Sequence, residues 1–184
     1  MKLRSRITAT LAIAVLSSAM LAGCTAGNAA PEATESAANE NPYGGFPVDL
    51  PVAEDVVLTL SDGTHDVDIT MGELIDLSTE EFTIVEPFVE TEQTFRGVAL
   101  DELFAKIGFE SGDSIATIAL NDYQYVDTAG AFTSNDGILA VFRDGEQIPM
   151  DQGGPIRIVF PSDSEYFTVL DAWNWSLRSI ELRQ

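Results

Sequence analysis

From Val56 onward, apolar and polar positions alternate in short runs punctuated by Gly, Asp and Pro, the pattern of brief strands joined by tight turns. Val56 to Leu60 is an apolar run, and Ser61-Asp62-Gly63-Thr64 is a turn signal. Beyond it Val67 and Ile69 alternate with Asp66, Asp68 and Thr70, so the pair predicts a β-hairpin. Thr70-Met71-Gly72-Glu73 has the Thr-x-x-Glu form of a capping box and leads into Leu74, Ile75 and Leu77 as a short helix. Glu81 to Glu90 alternates through Phe82 and Ile84, with Pro87 marking an edge or a break. Val98, Leu100, Leu103, Phe104 and Ile107 fall on one helical stripe, and Gly108 closes it. Ile115 to Leu120 predicts a strand, Asn121-Asp122-Tyr123 a corner, and Ile138 to Phe142 a further strand that turns at Asp144-Gly145. Gly153 to Pro161 predicts a strand in which Ile156, Ile158 and Phe160 alternate with Arg157 and Val159. An aromatic-rich stretch, Tyr166 to Trp175, precedes a closing strand from Arg178 to Arg183. Short strands with two or three short helices make residues 49–184 a single mixed α+β domain.

The N-terminal pattern is of another kind. Lys2, Arg4 and Arg6 precede a neutral run from Ile7 to Leu21. That run is too short and too rich in Ser, Thr and Ala for a membrane span, and fits a secretory signal over residues 1–23. It ends in Leu21-Ala22-Gly23-Cys24, which resembles a bacterial lipobox. The resemblance implies that the Cys24 thiol takes a diacylglycerol, becomes the first mature residue and carries palmitate-type chains. Residues 24–48 read as a flexible tether: from Thr25 to about Gly45 they are mostly Ala, Gly, Asn, Pro, Thr, Ser and Glu, without hydrophobic period. The expected location is the extracytoplasmic side of a membrane, held by lipid.

Composition narrows the chemistry. The 184-residue chain has one cysteine, Cys24, so the domain holds no disulfide and no thiolate zinc cluster. Lys and Arg total 9 against 30 Asp and Glu, and three of the basic residues lie in the leader, leaving the mature chain near −24. Such a chain excludes nucleic acid as a partner and is repelled by anionic headgroups, so attachment falls to the lipid. Asp62 to Asp68 carries acids at loop spacing, but Thr64 and His65 break the calcium-loop pattern. His65, the only histidine, reads as a surface strand residue, which leaves a Ser-His-Asp hydrolase without support. No metal ligand and no catalytic residue is predicted.

Arg157 is the residue whose chemistry is hardest to place. A guanidinium on an apolar strand must face water, pair with a carboxylate, or hold an anion. Two readings stand: pairing with an acid such as Asp122 or Asp171, or anchoring an anionic ligand.

Five motifs in order resemble the oxidoreductase molybdopterin-binding domain, the sulfite-oxidase-like fold. Gly97-Val98 with Leu100 and Leu103, Ala119-Leu120-Asn121-Asp122-Tyr123, Ile138-Leu139-Ala140 with Asp144-Gly145, Gly153-Gly154-Pro155-Ile156-Arg157, and Trp175 with Ile180 span about residues 70 to 182. The resemblance implies molybdopterin as the family's cofactor, with a cysteine thiolate on molybdenum and basic residues and a histidine on the pterin phosphate. It also implies that Arg157 faces the cofactor pocket, a concave apolar site walled by Tyr123, Tyr125 and Trp175, with Arg157, Tyr123 and Trp175 as cofactor-binding candidates. This sequence departs from that pattern: the domain has no cysteine, Asn174-Trp175 stands where the family has Lys-Trp, and Ser162-Asp163-Ser164-Glu165 is acidic after Pro161. The expectation is therefore a ligand-binding or partner-docking module with no cofactor, whose partner is a small ligand or an envelope protein. The alternative is a molybdopterin-dependent oxidoreductase or its accessory subunit.

Overall fold

A computed structural model describes residues 49–183; the leader, Cys24 and the tether lie outside the described residues. The first hairpin forms as its turn chemistry requires. Strands β1 (Val56–Ser61) and β2 (Asp66–Thr70) pair antiparallel, and the Asp62 carboxylate accepts from the N–H groups of Thr64 and His65, both at 2.6 Å. That carboxylate is spent on the turn, and His65 sits in the turn rather than on a strand, its side chain 78% exposed. Helix α1 (Met71–Leu77) starts on the expected capping box: Thr70 Oγ1 accepts from Glu73 N–H at 3.3 Å, and Glu73 Oε2 accepts from Thr70 N–H at 2.8 Å.

Strands β3 (Glu80–Glu86) and β4 (Thr91–Ala99) make a second antiparallel pair, and α2 (Leu100–Ile107) follows at once. The helical stripe therefore begins two residues later than the apolar spacing predicts, and Val98 belongs to β4. The cause is Gly97. A Cβ there would lie 2.1 Å from the Leu139 carbonyl oxygen, so β4 stays extended to cross closely over its neighbour. Gly108 ends α2 in the left-handed region, φ 84°, its N–H bonding to the Phe104 carbonyl. Strands β5 (Ser114–Ala119) and β6 (Gln124–Thr128) flank the expected corner.

Helix α3 (Ala129–Thr133) has no apolar stripe to announce it; Thr128 caps it by accepting from Ala131 N–H at 3.2 Å. Strand β7 (Ile138–Arg143) turns at Asp144 (φ 53°) and Gly145 (φ 85°) into the two-residue β8 (Glu146–Gln147). The stretch from Gly153 to Pro161 contributes only three paired residues, β9 (Arg157–Val159), against β7. Gly153 is left-handed and ends a 3₁₀ turn, and the flanking prolines bring no N–H to a ladder. Strand β10 (Leu177–Leu182) closes the chain.

Two five-stranded sheets result. One runs β2-β1-β10-β5-β6, antiparallel except for the parallel pair β1 and β10; the other runs β3-β4-β7-β8 with β9 also on β7, all antiparallel. Leu58, Leu60, Leu177 and Ile180 from the first meet Phe95, Val98, Leu139 and Ile158 from the second in one continuous core, joined by Leu74, Leu103 and Phe132 of the helices. Each such side chain contributes about 1.5–3 kcal/mol by leaving water. The architecture is a single α+β domain. Among the described residues no helix is long and apolar enough to cross a membrane.

Candidate functional site: an aromatic groove over a buried ion pair

Three connections meet at one end of the core. The turn after β3 carries Phe88. The corner between β5 and β6 carries Asn121 and Tyr123. The segment before β10 carries Leu170, Asp171, Trp173, Asn174 and Trp175. Together with Ala119 they line a groove of about 320 Å³.

Each part is fixed locally. Asp122 takes a left-handed φ of 66°, and Asn121 Oδ1 accepts from Tyr123 N–H at 3.1 Å, which sets the corner. Asn174 is buried and donates from Nδ2 to the Thr117 carbonyl at 2.9 Å and to Thr117 Oγ1 at 3.2 Å, tying the last segment to β5. Trp173 Nε1 donates to the Tyr166 carbonyl at 3.1 Å. Phe88 stands nearly perpendicular to both tryptophans, its ring centre 4.8 Å from Trp175 and 6.2 Å from Trp173. The Tyr123 hydroxyl donates to the Asp171 carbonyl at 3.0 Å. Partial burial, then the nearby Asp171 charge, raises the Tyr123 pKa above the usual phenol value.

Arg157 lies one layer below. It is 0% exposed, and its Nη2 donates to Glu86 Oε1 at 2.8 Å; the Glu86 side chain is 0% exposed as well. The other Glu86 oxygen accepts from the N–H groups of Phe88 and Val89, at 2.8 and 2.9 Å. One carboxylate thus holds the Phe88 turn and neutralises the arginine. The Trp175 ring covers the guanidinium, with Cζ 4.3 Å from the ring centre, and Gly153 leaves room for that ring, since a Cβ there would come within 3.2 Å of it.

Tyr123 and Trp175 line the same groove, and Arg157 stands beneath Trp175 rather than among the lining residues. Its acid is Glu86, not Asp122 or Asp171; Asp122 pairs with Arg178 at 2.7 Å in an exposed bridge. Tyr125 is turned away, its hydroxyl on Asp127 and its ring against Phe132. Arg96 is engaged too, donating to the Ser78 carbonyl and stacked over Phe142. Sequence reasoning missed Glu86, Phe88 and Trp173. Pro87 marked the break in the strand, but nothing separates Glu86 from the other acids of the chain. The lining offers one carboxylate, Asp171, and no cation, and among the described residues no three His, Cys, Asp or Glu side chains gather as a metal site.

Residues 63–169 match the oxidoreductase molybdopterin binding domain, more than half of the chain, and the chain belongs to that family. The fold is similar to that of a chain of the sulfane dehydrogenase SoxCD from Paracoccus pantotrophus, at 16% identity and a TM-score of 0.54. The match covers 74% of this chain and 40% of that one, so this chain spans well under half the length of the enzyme subunit it resembles. No curated protein sequence matches it.

Proposed function

We propose that the chain is a lipoprotein attached through Cys24 to the extracytoplasmic face of a membrane, whose domain keeps the family fold as a ligand-binding or partner-docking module without oxidoreductase catalysis. The observation that carries this reading is the state of Arg157. It is the one cation that the family resemblance directs at the cofactor, and it is buried, neutralised by Glu86 and roofed by Trp175. Molybdopterin carries an anionic phosphate, which calls for guanidinium, ammonium or free N–H donors, and its molybdenum calls for a soft ligand. The groove offers Asp171 and no cation, and the single cysteine of the chain is Cys24, outside the domain. These residues do not fit the group.

Pterin analysis tests the proposal. The full chain, expressed in a host that makes the cofactor and purified without cofactor-stripping steps, should yield no fluorescent pterin after acid release and oxidation. One pterin per chain would refute the reading and support a molybdopterin-dependent oxidoreductase or its accessory subunit.

A further inference from the structure

We infer that the aromatic groove is a binding site for a small organic cation with an apolar body, such as a substituted ammonium; this rests on the ligand-binding reading above. Phe88, Tyr123, Trp173 and Trp175 supply four aromatic rings around about 320 Å³, at the small end of the range for ligand pockets. Trp173 is buried and the Trp175 ring already lies over Arg157, so the partly exposed Phe88 and Tyr123 rings are the π-surfaces open to a cation. Phe88 and Tyr123 are each 42% exposed and Leu170 is 44% exposed, so the apolar rim is open to a solute.

The charge points the same way. The only ionisable carboxylate in the lining is Asp171, and no Lys, Arg or His joins it. Its charge is felt in the groove, since it helps to raise the Tyr123 pKa. Arg157 beneath the groove is paired with Glu86, and Arg178 beside it is paired with Asp122, so neither brings an uncompensated positive charge to a ligand. A chain of net charge −21 draws cations and repels anions over its whole surface. An organic anion of the same size meets the same apolar walls but the wrong field.

The test is a titration of the full chain in non-ionic detergent with benzyltrimethylammonium chloride, read by tryptophan fluorescence at constant ionic strength. Benzenesulfonate serves as the anionic counterpart. The expected result is a saturable change with the cation and none with the sulfonate. Asp171→Asn should weaken binding about tenfold, the loss of one charge contact, and Tyr123→Leu should weaken it while leaving the melting temperature near that of the wild type. No saturable change, an equal response to benzenesulfonate, or undiminished binding by Asp171→Asn would each overturn the assignment. Such a failure leaves the pterin result untouched, whereas pterin in the purified chain would sink the underlying reading whatever the titration gives.

Discussion

Replacing Arg157 by methionine removes the charge and keeps most of the volume of the largest fully buried side chain in the domain. What remains is the Glu86 carboxylate, 0% exposed, with the N–H groups of Phe88 and Val89 as its hydrogen-bond donors and no cation at 2.8 Å. Removing one member of a buried pair in this way costs about 3–5 kcal/mol, most of it the stranded charge rather than the net worth of the pair. For a domain of this size that is a fall in melting temperature of roughly 10–20 °C. The double variant Arg157→Met/Glu86→Gln separates the two contributions. Its amide oxygen still accepts from the Phe88 and Val89 N–H groups, no charge is left buried, and stability should return to within about 2 kcal/mol of the wild type. Urea unfolding followed by circular dichroism measures both, with an unchanged m-value showing that the folded state is the same. A single variant within about 1 kcal/mol of the wild type would refute the reasoning. So would a double variant no more stable than the single one, because the loss would then be packing and not charge.

Three further outcomes follow from the same geometry. Gly97→Ala should cost more than about 4 kcal/mol, since its Cβ must push β4 off the Leu139 backbone; Gly145→Ala, left-handed but with nothing within 4 Å, should cost about 1 kcal/mol, and equal losses would contradict the close approach. Burial raises the Asp127 pKa, but hydrogen bonds from the Tyr166 hydroxyl, the Thr128 N–H and the Tyr125 hydroxyl outweigh it and hold the carboxyl below its ordinary value. Its stabilisation is therefore present above the unfolded value of about 3.9 and is lost as pH falls through the lower folded value, so Asp127→Asn should flatten the acid limb of a stability profile; parallel limbs would speak against it. Cys24→Ala should release the chain from membranes into the soluble fraction, and unchanged partition under high salt would remove the lipid anchor from the account.

Local chemistry is what the sequence makes legible. The Ser61–Thr64 turn, the Thr70/Glu73 capping box, the Gly108 cap and the Asp144-Gly145 hairpin each depend on residues within a few positions of one another, and each is found where the pattern puts it. Where a distant neighbour decides, the pattern misleads. Val98 fits a helical stripe, yet Gly97 lets β4 pass so near β7 that the strand persists to Ala99. Arg157 alternates correctly on its strand, but its partner is 71 residues away at the end of another. No spacing rule could choose Glu86 among 30 acids. The family resemblance singles out Tyr123 and Trp175, whereas Phe88 and Trp173 join them in the groove only because the turn after β3 and the segment before β10 converge.

On the proposed reading, this member of the molybdopterin-binding family holds no molybdenum. Elemental analysis of the full chain, produced in a molybdenum-replete host able to assemble the cofactor, tests it most directly, with a known molybdoenzyme purified in parallel as the loaded standard. The account predicts molybdenum at the level of the buffer blank in this chain and one atom per chain in the standard; one molybdenum atom per chain in both would contradict it.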